Sequence, residues 1–380
     1  MKILMLHVAS DLYGTSKIIY LVAKKLQREG HEVHLVVSAD GPLVELFKAM
    51  GAKTSIVRLG VLRKRYMNFM GLINRLKVLT IAYFKLRSLV RKEHINIIYS
   101  NTTPVIIGGL ISKTMGIPNV WHIHEIMDPK GSPVHRIFSK ITKYTSTKVI
   151  VVSDAVYQNW LPYLGSTKLI RIYNGIPMLS ANSLHTTIRE ELNLGGDDIL
   201  LGMVGRLNLH KGQFYFLEIA QELIRVNASL KFIIVGDAFS GYEYLYDQLS
   251  DCIKSNGLEK HVFYLGYRTD IAEIISALDV YVLPSIHPDS FPTVVLEAMA
   301  LGKPVVATTQ GGALEQLVNN ETGLFIPIND AVEAASIMLP LLSHEELRRT
   351  FGANGKKRLE AHFSLDVFEQ NILQLFESLN

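Results

Sequence analysis

Apolar residues fall along this chain in two alternating patterns: short unbroken runs, and longer stretches spaced by three and four. Lys2–Val8 is a continuous apolar run and predicts a buried strand, and Leu12–Ser16 is a turn leading to a helix over about Lys17–Glu29. Gly30 ends that helix and Glu32–Val37 predicts the next strand, which makes the opening a βαβ unit of a parallel sheet. Ile95–Tyr99, Asn119–His122, Lys148–Val152 and Leu169–Tyr173 predict further strands, with a helix over about Pro104–Met115. Residues 178–197 are polar and poorly periodic and predict an interdomain connection. A second series follows at Ile199–Val204, Leu230–Val235, Val262–Leu265, Asp279–Leu283, Pro304–Ala307 and Gly323–Ile326, separated by helical patterns. From Glu345 to Asn380 the pattern is that of two helices broken near His362–Ser364.

One helix stands apart. From Phe69, the residues Leu72, Leu76, Leu79, Tyr83, Leu86 and Val90 recur at steps of three and four and predict a core-facing stripe. Met67, Met70, Ile81 and Phe84 lie off it, among Arg63, Lys64, Arg65, Arg75, Lys77, Lys85 and Arg87. Basic charge mixed with surplus apolar side chains suits an element resting on an anionic membrane surface. A buried helix with a solvated basic face is the other reading.

Composition adds bounds to this pattern. With 380 residues, 48% apolar, the chain is long enough for two ordinary domains and too apolar to be disordered. Its single cysteine, Cys252, permits no internal disulfide and points to a reducing compartment. The apolar start is far too short for a membrane span and meets Asp11 and Gly14 at once, so it predicts a strand of a cytosolic protein. Residues 1–174 carry 25 Lys/Arg against 9 Asp/Glu, and residues 175–380 carry 14 against 26. That polarity expects an acidic partner for the first half, nucleic acid or an anionic membrane.

The densest chemistry lies in Tyr281–Pro304. A strand runs into a loop holding Pro284, Pro288 and Pro292, and a helix over Thr293–Leu301 ends at Gly302 and Pro304. Asp289 falls in the loop and Glu297 about one turn into the helix, at a helix start that suits an anion. Taken alone, the two acids also fit a helix cap and a solvated helix residue. His124 follows a strand, where parallel sheets place ligands, although a lone histidine also fits a satisfied core position. No G-x-G-x-x-G follows the first strand, which argues against a dinucleotide enzyme, and there is no Asp-x-Asp string or Cys/His cluster.

The string from Asp289 to Glu297 resembles the acidic-x7-Glu signature of the family-four retaining glycosyltransferases, with Asp289 where most members have Glu. Pro284-Ser285, Glu297 through Pro304, Trp121 through Ile126 and Asn174-Gly175-Ile176-Pro177 match the same family. So do Val204-Gly205-Arg206 and His210-Lys211-Gly212. The resemblance covers essentially the whole chain. It implies a GT-B architecture, two Rossmann-like domains facing an interdomain cleft, with an acceptor domain at 1–177, a donor domain at 178–363 and a last helix at 364–380 returning to the first domain.

The resemblance also implies roles. Departure of a nucleoside diphosphate needs positive charge at its β-phosphate, from a metal or from Arg and Lys. Arg206 and Lys211 are the cations expected to hold it, so no metal or other cofactor is expected. Glu297 is expected to accept the ribose hydroxyls, and Asp289 to face the transferred sugar within a loop of Ser290, Phe291, Pro292 and Thr293. Gly236, Tyr267 and Arg268 are expected to line base and phosphates, and His124 with the Gly14 turn the sugar and acceptor. The expected activity is retaining, metal-independent transfer from a nucleotide sugar, UDP-linked first and GDP-linked second, to a lipid-linked glycan, as in polysaccharide or O-antigen assembly. Arg63, Lys64, Arg65, Arg75 and Lys77 are the expected membrane face, on the inner side of the cell membrane. Nucleic acid is not the expected partner, because no aromatic-interleaved RNA motif appears. A nucleotide-sugar epimerase and a basic nucleic-acid-binding protein are the alternatives.

Overall fold

The structure, a computed structural model, describes residues 1–61, 68–127, 129–179, 187–238 and 241–379. It divides into two compact units, one of Met1–Asn174 with Phe368–Asn380, the other of Gly175–Val367.

The first unit is a parallel sheet of seven strands in the order β3-β2-β1-β4-β5-β6-β7. They are β1 (Lys2–Leu6), β2 (Glu32–Val37), β3 (Lys53–Ile56), β4 (Ile97–Asn101), β5 (Asn119–Ile123), β6 (Lys148–Val151) and β7 (Leu169–Arg171). The central strands are buried almost throughout because helices cover both faces, as parallel crossovers require. Leu4, Leu6 and Ile98 share one core with Val105 and Ile107 and with Ala82, Leu86 and Val90 of the helix Phe69–Glu93. β3 is a short, polar edge strand, KTSI, and carries no apolar run from which to predict it. Phe376 of the last helix, Leu365–Glu377, packs with its ring 6.0 Å from that of Tyr99 on β4.

The second unit is a six-stranded parallel sheet ordered β10-β9-β8-β11-β12-β13. Its strands are β8 (Ile199–Val204), β9 (Leu230–Val235), β10 (Val262–Gly266), β11 (Val280–Leu283), β12 (Val305–Thr308) and β13 (Gly323–Ile326). In each sheet the chain first winds outward on one side, then crosses to the other. The reversal falls between β1 and β4 in the first sheet and between β8 and β11 in the second. At such a point the loops leaving the two strands diverge and open a crevice at the strands' carboxyl ends.

The helix Phe69–Glu93 corrects one expectation. Its predicted stripe is core only toward the carboxyl end, where Leu86 and Val90 are buried and Leu79 and Tyr83 pack against the same cluster, whereas Leu72 and Leu76 are exposed. Length supplies the reason: a helix of 25 residues spans about 37 Å, and strands of five residues only about 17 Å. Phe69 is 77% exposed, Met70 72%, Leu76 66% and Phe84 62%, beside Arg75, Lys77 and Lys85. Arg63, Lys64 and Arg65 lie outside the described residues. Among the described residues, no helix is long and apolar enough to cross a membrane.

Candidate functional site

In the second unit, the predicted donor residues gather at the carboxyl ends of β8 and β11, on either side of the reversal. After β8 the chain turns at Gly205-Arg206. The Arg206 carbonyl accepts from Gln213 Nε2 at 3.0 Å and Asn208 Nδ2 at 3.3 Å. Asn208 Oδ1 in turn accepts from the His210 and Lys211 amides at 2.8 and 3.1 Å, an Asx turn that aims Lys211 along the start of the next helix. Gly212 takes φ +79°, and a Cβ there would lie 1.9 Å from the Pro284 carbonyl oxygen. The β8 and β11 exits therefore touch backbone to backbone, which only glycine permits. Ile286 N donates to the His210 carbonyl at 2.9 Å across the same junction.

That close approach brings Lys211 to Asp289. Lys211 Nζ stands 2.7 Å from Asp289 Oδ1, with both side chains about three-quarters buried. The other carboxylate oxygen, Oδ2, accepts from Ser285 Oγ at 2.8 Å. Ser285 is itself fixed, since its carbonyl accepts from Thr308 Oγ1 at 2.6 Å and Gln310 Nε2 at 2.5 Å. The loop is clamped from β12 as well: the Gly312 amide donates to the Asp289 carbonyl at 2.8 Å, and Gln316 Nε2 to the Pro292 carbonyl at 3.0 Å. Phe291 is buried with its ring 5.6 Å from Phe363, and Ser290 lies half-buried beside it. Thr293 opens the helix Thr293–Ala300, which carries Glu297, half-buried, on its second turn. Tyr281 lies beneath, its hydroxyl donating to the Val204 carbonyl at 3.2 Å. Burial raises the Tyr281 pKa, and the nearby Glu297 and Asp289 carboxylates push it further up.

The remaining donor residues sit at the β9 and β10 exits. Gly236 adopts φ +143°, and a Cβ there would lie 1.9 Å from the Gly205 carbonyl oxygen, so the β8 and β9 loops are in backbone contact. Tyr267 is exposed. Arg268 is occupied by two carboxylates, Asp270 at 2.6 Å and Glu191 at 2.8 Å, which hold it cationic. Those acids accept four hydrogen bonds from its five N–H groups, so a phosphate competes with them for the guanidinium.

The first unit gathers its polar residues at the carboxyl ends of β1, β4 and β5. His124, just past β5, places Nε2 2.8 Å from Asn101 Oδ1. Its ring lies 4.0 Å from that of His122, which pairs through Nδ1 with Tyr99 Oη at 2.5 Å. Burial lowers all three nearby imidazoles: His122 to about 3, His7 to about 4 and His124 well below the usual histidine range. They are neutral at pH 7. Glu125 ties this turn to the β4 exit, its Oε2 accepting from Thr103 Oγ1 at 2.7 Å and from the Thr103 and His124 amides. Gly14 opens the helix Gly14–Arg28 that follows β1.

Sequence reasoning missed Asn208, Ser285, His7, Ser16 and Asn101 as functional residues. Asn208 carried a signal, an Asx-turn residue three positions before Lys211. His7 and Asn101 meet across 94 positions of chain, whereas Ser16 and Ser285 bond side chains four to nine positions away that only the folded turns bring together. Among the described residues, no group of three or more His, Cys, Asp or Glu is placed to hold a metal ion.

Residues 185–358 match the family model for glycosyl transferases group 1, and residues 13–178 that for glycosyltransferase family 4. An uncharacterized glycosyltransferase of Methanocaldococcus jannaschii is 26% identical over 306 residues, 79% of this chain and 80% of that protein. The Escherichia coli UDP-Gal:alpha-D-GlcNAc-diphosphoundecaprenol alpha-1,3-galactosyltransferase is 26% identical over 84% of this chain and 82% of that protein. Among solved structures, Anabaena HepE in complex with UDP and glucose superposes with a TM-score of 0.85 over 100% of both chains, at 24% identity, a likeness of fold.

Proposed function

Because the chain belongs to the family-four glycosyltransferases, with their GT-B fold, we propose that it moves a sugar from a UDP-sugar to a hydroxyl of a lipid-linked glycan, retaining the anomeric configuration and using no metal. The observation that carries this reading is the Lys211–Asp289 pair at the reversal between β8 and β11. A cation and a carboxylate drawn from two loops meet where the fold opens its crevice, with Arg206 five residues before the lysine and Glu297 eight residues after the aspartate. Arg206 and Lys211 offset the charge that grows on the departing diphosphate. Glu297 accepts the ribose hydroxyls, and Asp289 faces the sugar. The bond from the anomeric carbon to the phosphate oxygen breaks, and the acceptor oxygen bonds to that carbon on the same face. The acceptor's proton passes to the leaving phosphate. The donor and acceptor classes are supported by the galactosyltransferase relative, whose name specifies UDP-Gal and a diphosphoundecaprenol acceptor.

The test is mass spectrometry of UDP-glucose, UDP-galactose, UDP-N-acetylglucosamine and GDP-mannose incubated with the protein, with and without an undecaprenyl-diphosphate-linked sugar. UDP release that rises with the acceptor and survives EDTA is expected. Isomerised nucleotide sugar formed without acceptor would instead show an epimerase. Activity abolished by EDTA and restored by Mn²⁺ would overturn the metal-free step.

The membrane side of the proposal rests on the helix Phe69–Glu93. Its exposed Phe69, Met70, Leu76 and Phe84 beside Arg75, Lys77 and Lys85 are suited to insert into an anionic leaflet on the cytoplasmic side. Each fully buried large apolar side chain contributes about 1.5–3 kcal/mol, and each surface-adjacent cation about 1 kcal/mol. Replacing Phe69, Met70 and Leu76 together by serine is expected to lower binding to phosphatidylglycerol vesicles at least about tenfold without lowering the melting temperature. Co-sedimentation checks this. A wild-type protein that stays in the supernatant at low salt removes the membrane assignment.

A further inference from the structure

Five side chains of the first unit form one directed chain of hydrogen bonds across the reversal between β1 and β4. Asp11 and Ser16 come from the loop and helix after β1, His7 from just past the end of β1, Asn101 from the end of β4, and His124 from just past β5. His7, Ser16, Asn101 and His124 are buried. The direction of every bond follows from the acceptors at two points.

Asn101 is oriented first. Its Nδ2 lies 3.3 Å from the Thr15 carbonyl oxygen, which can only accept, so the amide nitrogen must face that side and Oδ1 must face His124. Oδ1 has no proton to give. His124 therefore carries its hydrogen on Nε2 and donates it across 2.8 Å. The same Nδ2 donates to His7 Nδ1 at 3.0 Å, which leaves that nitrogen as an acceptor and places the His7 hydrogen on Nε2. His7 Nε2 donates to Ser16 Oγ at 2.9 Å, and Ser16 Oγ donates to Asp11 Oδ1 at 3.0 Å. The Asp11 carboxylate, acceptor only, terminates the series. Reversing any one bond sets donor against donor or acceptor against acceptor, so the chain has a single low-energy proton arrangement.

We propose that Asp11, Ser16, His7 and Asn101 are positioning residues that hold His124 as its Nε2-protonated tautomer, so that it offers Nδ1 as an acceptor to a hydroxyl of the reacting sugar or acceptor. The role of His124 toward that hydroxyl rests on the glycosyltransferase reading above; the tautomer does not. The chain also joins the Gly14 turn to His124 through three intervening side chains.

Two measurements keep these parts separate. The first is imidazole ¹⁵N NMR of the ligand-free protein labelled at histidine, with His124→Gln and His7→Gln spectra to assign the two rings. His7 and His124 are both expected in the Nε2-protonated form. In Asn101→Leu, which keeps the volume and removes both bonds, His124 is expected to populate both tautomers. If Asn101→Leu does not fold, Asn101→Ala is read instead, which removes the same bonds to both rings without adding apolar bulk. A wild-type His124 protonated on Nδ1, or an unchanged tautomer in the variant read, overturns the proposal. The second is sugar transfer by the same folded variant, from whichever nucleotide sugar of the panel above the wild type uses, to the undecaprenyl-diphosphate-linked sugar. A fall in kcat of about tenfold with KM within about twofold is expected, because positioning is lost while the donor-holding unit is untouched. Unchanged kcat beside a changed tautomer overturns the catalytic use of the chain, and absence of transfer by the wild type from every nucleotide sugar of that panel overturns the glycosyltransferase reading alone.

Discussion

Lys211→Ala is expected to lower kcat/KM for sugar transfer at least about a hundredfold, the effect of removing one charged donor worth about 2–4 kcal/mol in the transition state. The Lys211–Asp289 pair is about three-quarters buried, so the variant also loses stability, and kcat/KM is therefore taken on protein shown by its melting curve to be folded at the assay temperature. Asp289 holds the ammonium in place before the donor arrives, and it also competes with the diphosphate for it. Asp289→Asn is therefore expected to leave UDP affinity unchanged or raised while transfer falls. Steady-state kinetics with isothermal calorimetry on the two variants separates these outcomes. Transfer by Lys211→Ala within about threefold of wild type would remove Lys211 from the leaving-group role.

Gly212→Ala carries the second large effect, on stability. The residue sits at φ +79°, which costs a residue bearing a Cβ about 1–2 kcal/mol. The added carbon would also stand 1.9 Å from the Pro284 oxygen and 2.7 Å from its carbonyl carbon, both backbone atoms with no rotamer to escape into. A total of about 2–4 kcal/mol is expected, or roughly 5–15 °C in melting temperature. The β11 loop must shift to admit the methyl, and Ser285 and Asp289 move with it, so transfer should fall in the fraction that stays folded. Gly205→Ala is the matched control, because its Cβ would meet only Lys211 Cδ at 3.9 Å, an ordinary contact. Differential scanning calorimetry should place Gly205→Ala near wild type. Equal losses in the two variants would mean that the junction tolerates the methyl by relaxing.

How far the site was legible in the sequence differs from residue to residue. Asp289 and Glu297 were readable because loop and helix are continuous in the chain, and a spacing of eight fixes both relative to one helix start. Lys211 was readable as a cation at a strand exit. Its partner was not, since 78 residues separate it from Asp289 and nothing local states that β8 and β11 are neighbours. Arg268 was legible as a cation near the phosphates and Asp270 is its neighbour two positions on, but its engagement by Glu191 depends on a helix 77 positions away.

By itself, the sequence determined the elements: apolar runs long enough for strands, helical spacings between them, and motif strings tying both halves to one family. These are local properties, set by side-chain period and turn chemistry over a few residues. Only the tertiary structure decided which ends meet. The order β2-β1-β4-β5 puts His7 beside Asn101, 94 positions later, and Asn101 beside His124, and so turns three scattered polar residues into one directed chain. The same limit explains the stripe on Phe69–Glu93. Periodicity states which face of a helix is apolar, but whether that face is covered depends on how far the sheet beneath it extends, and short strands support only the helix's last turns.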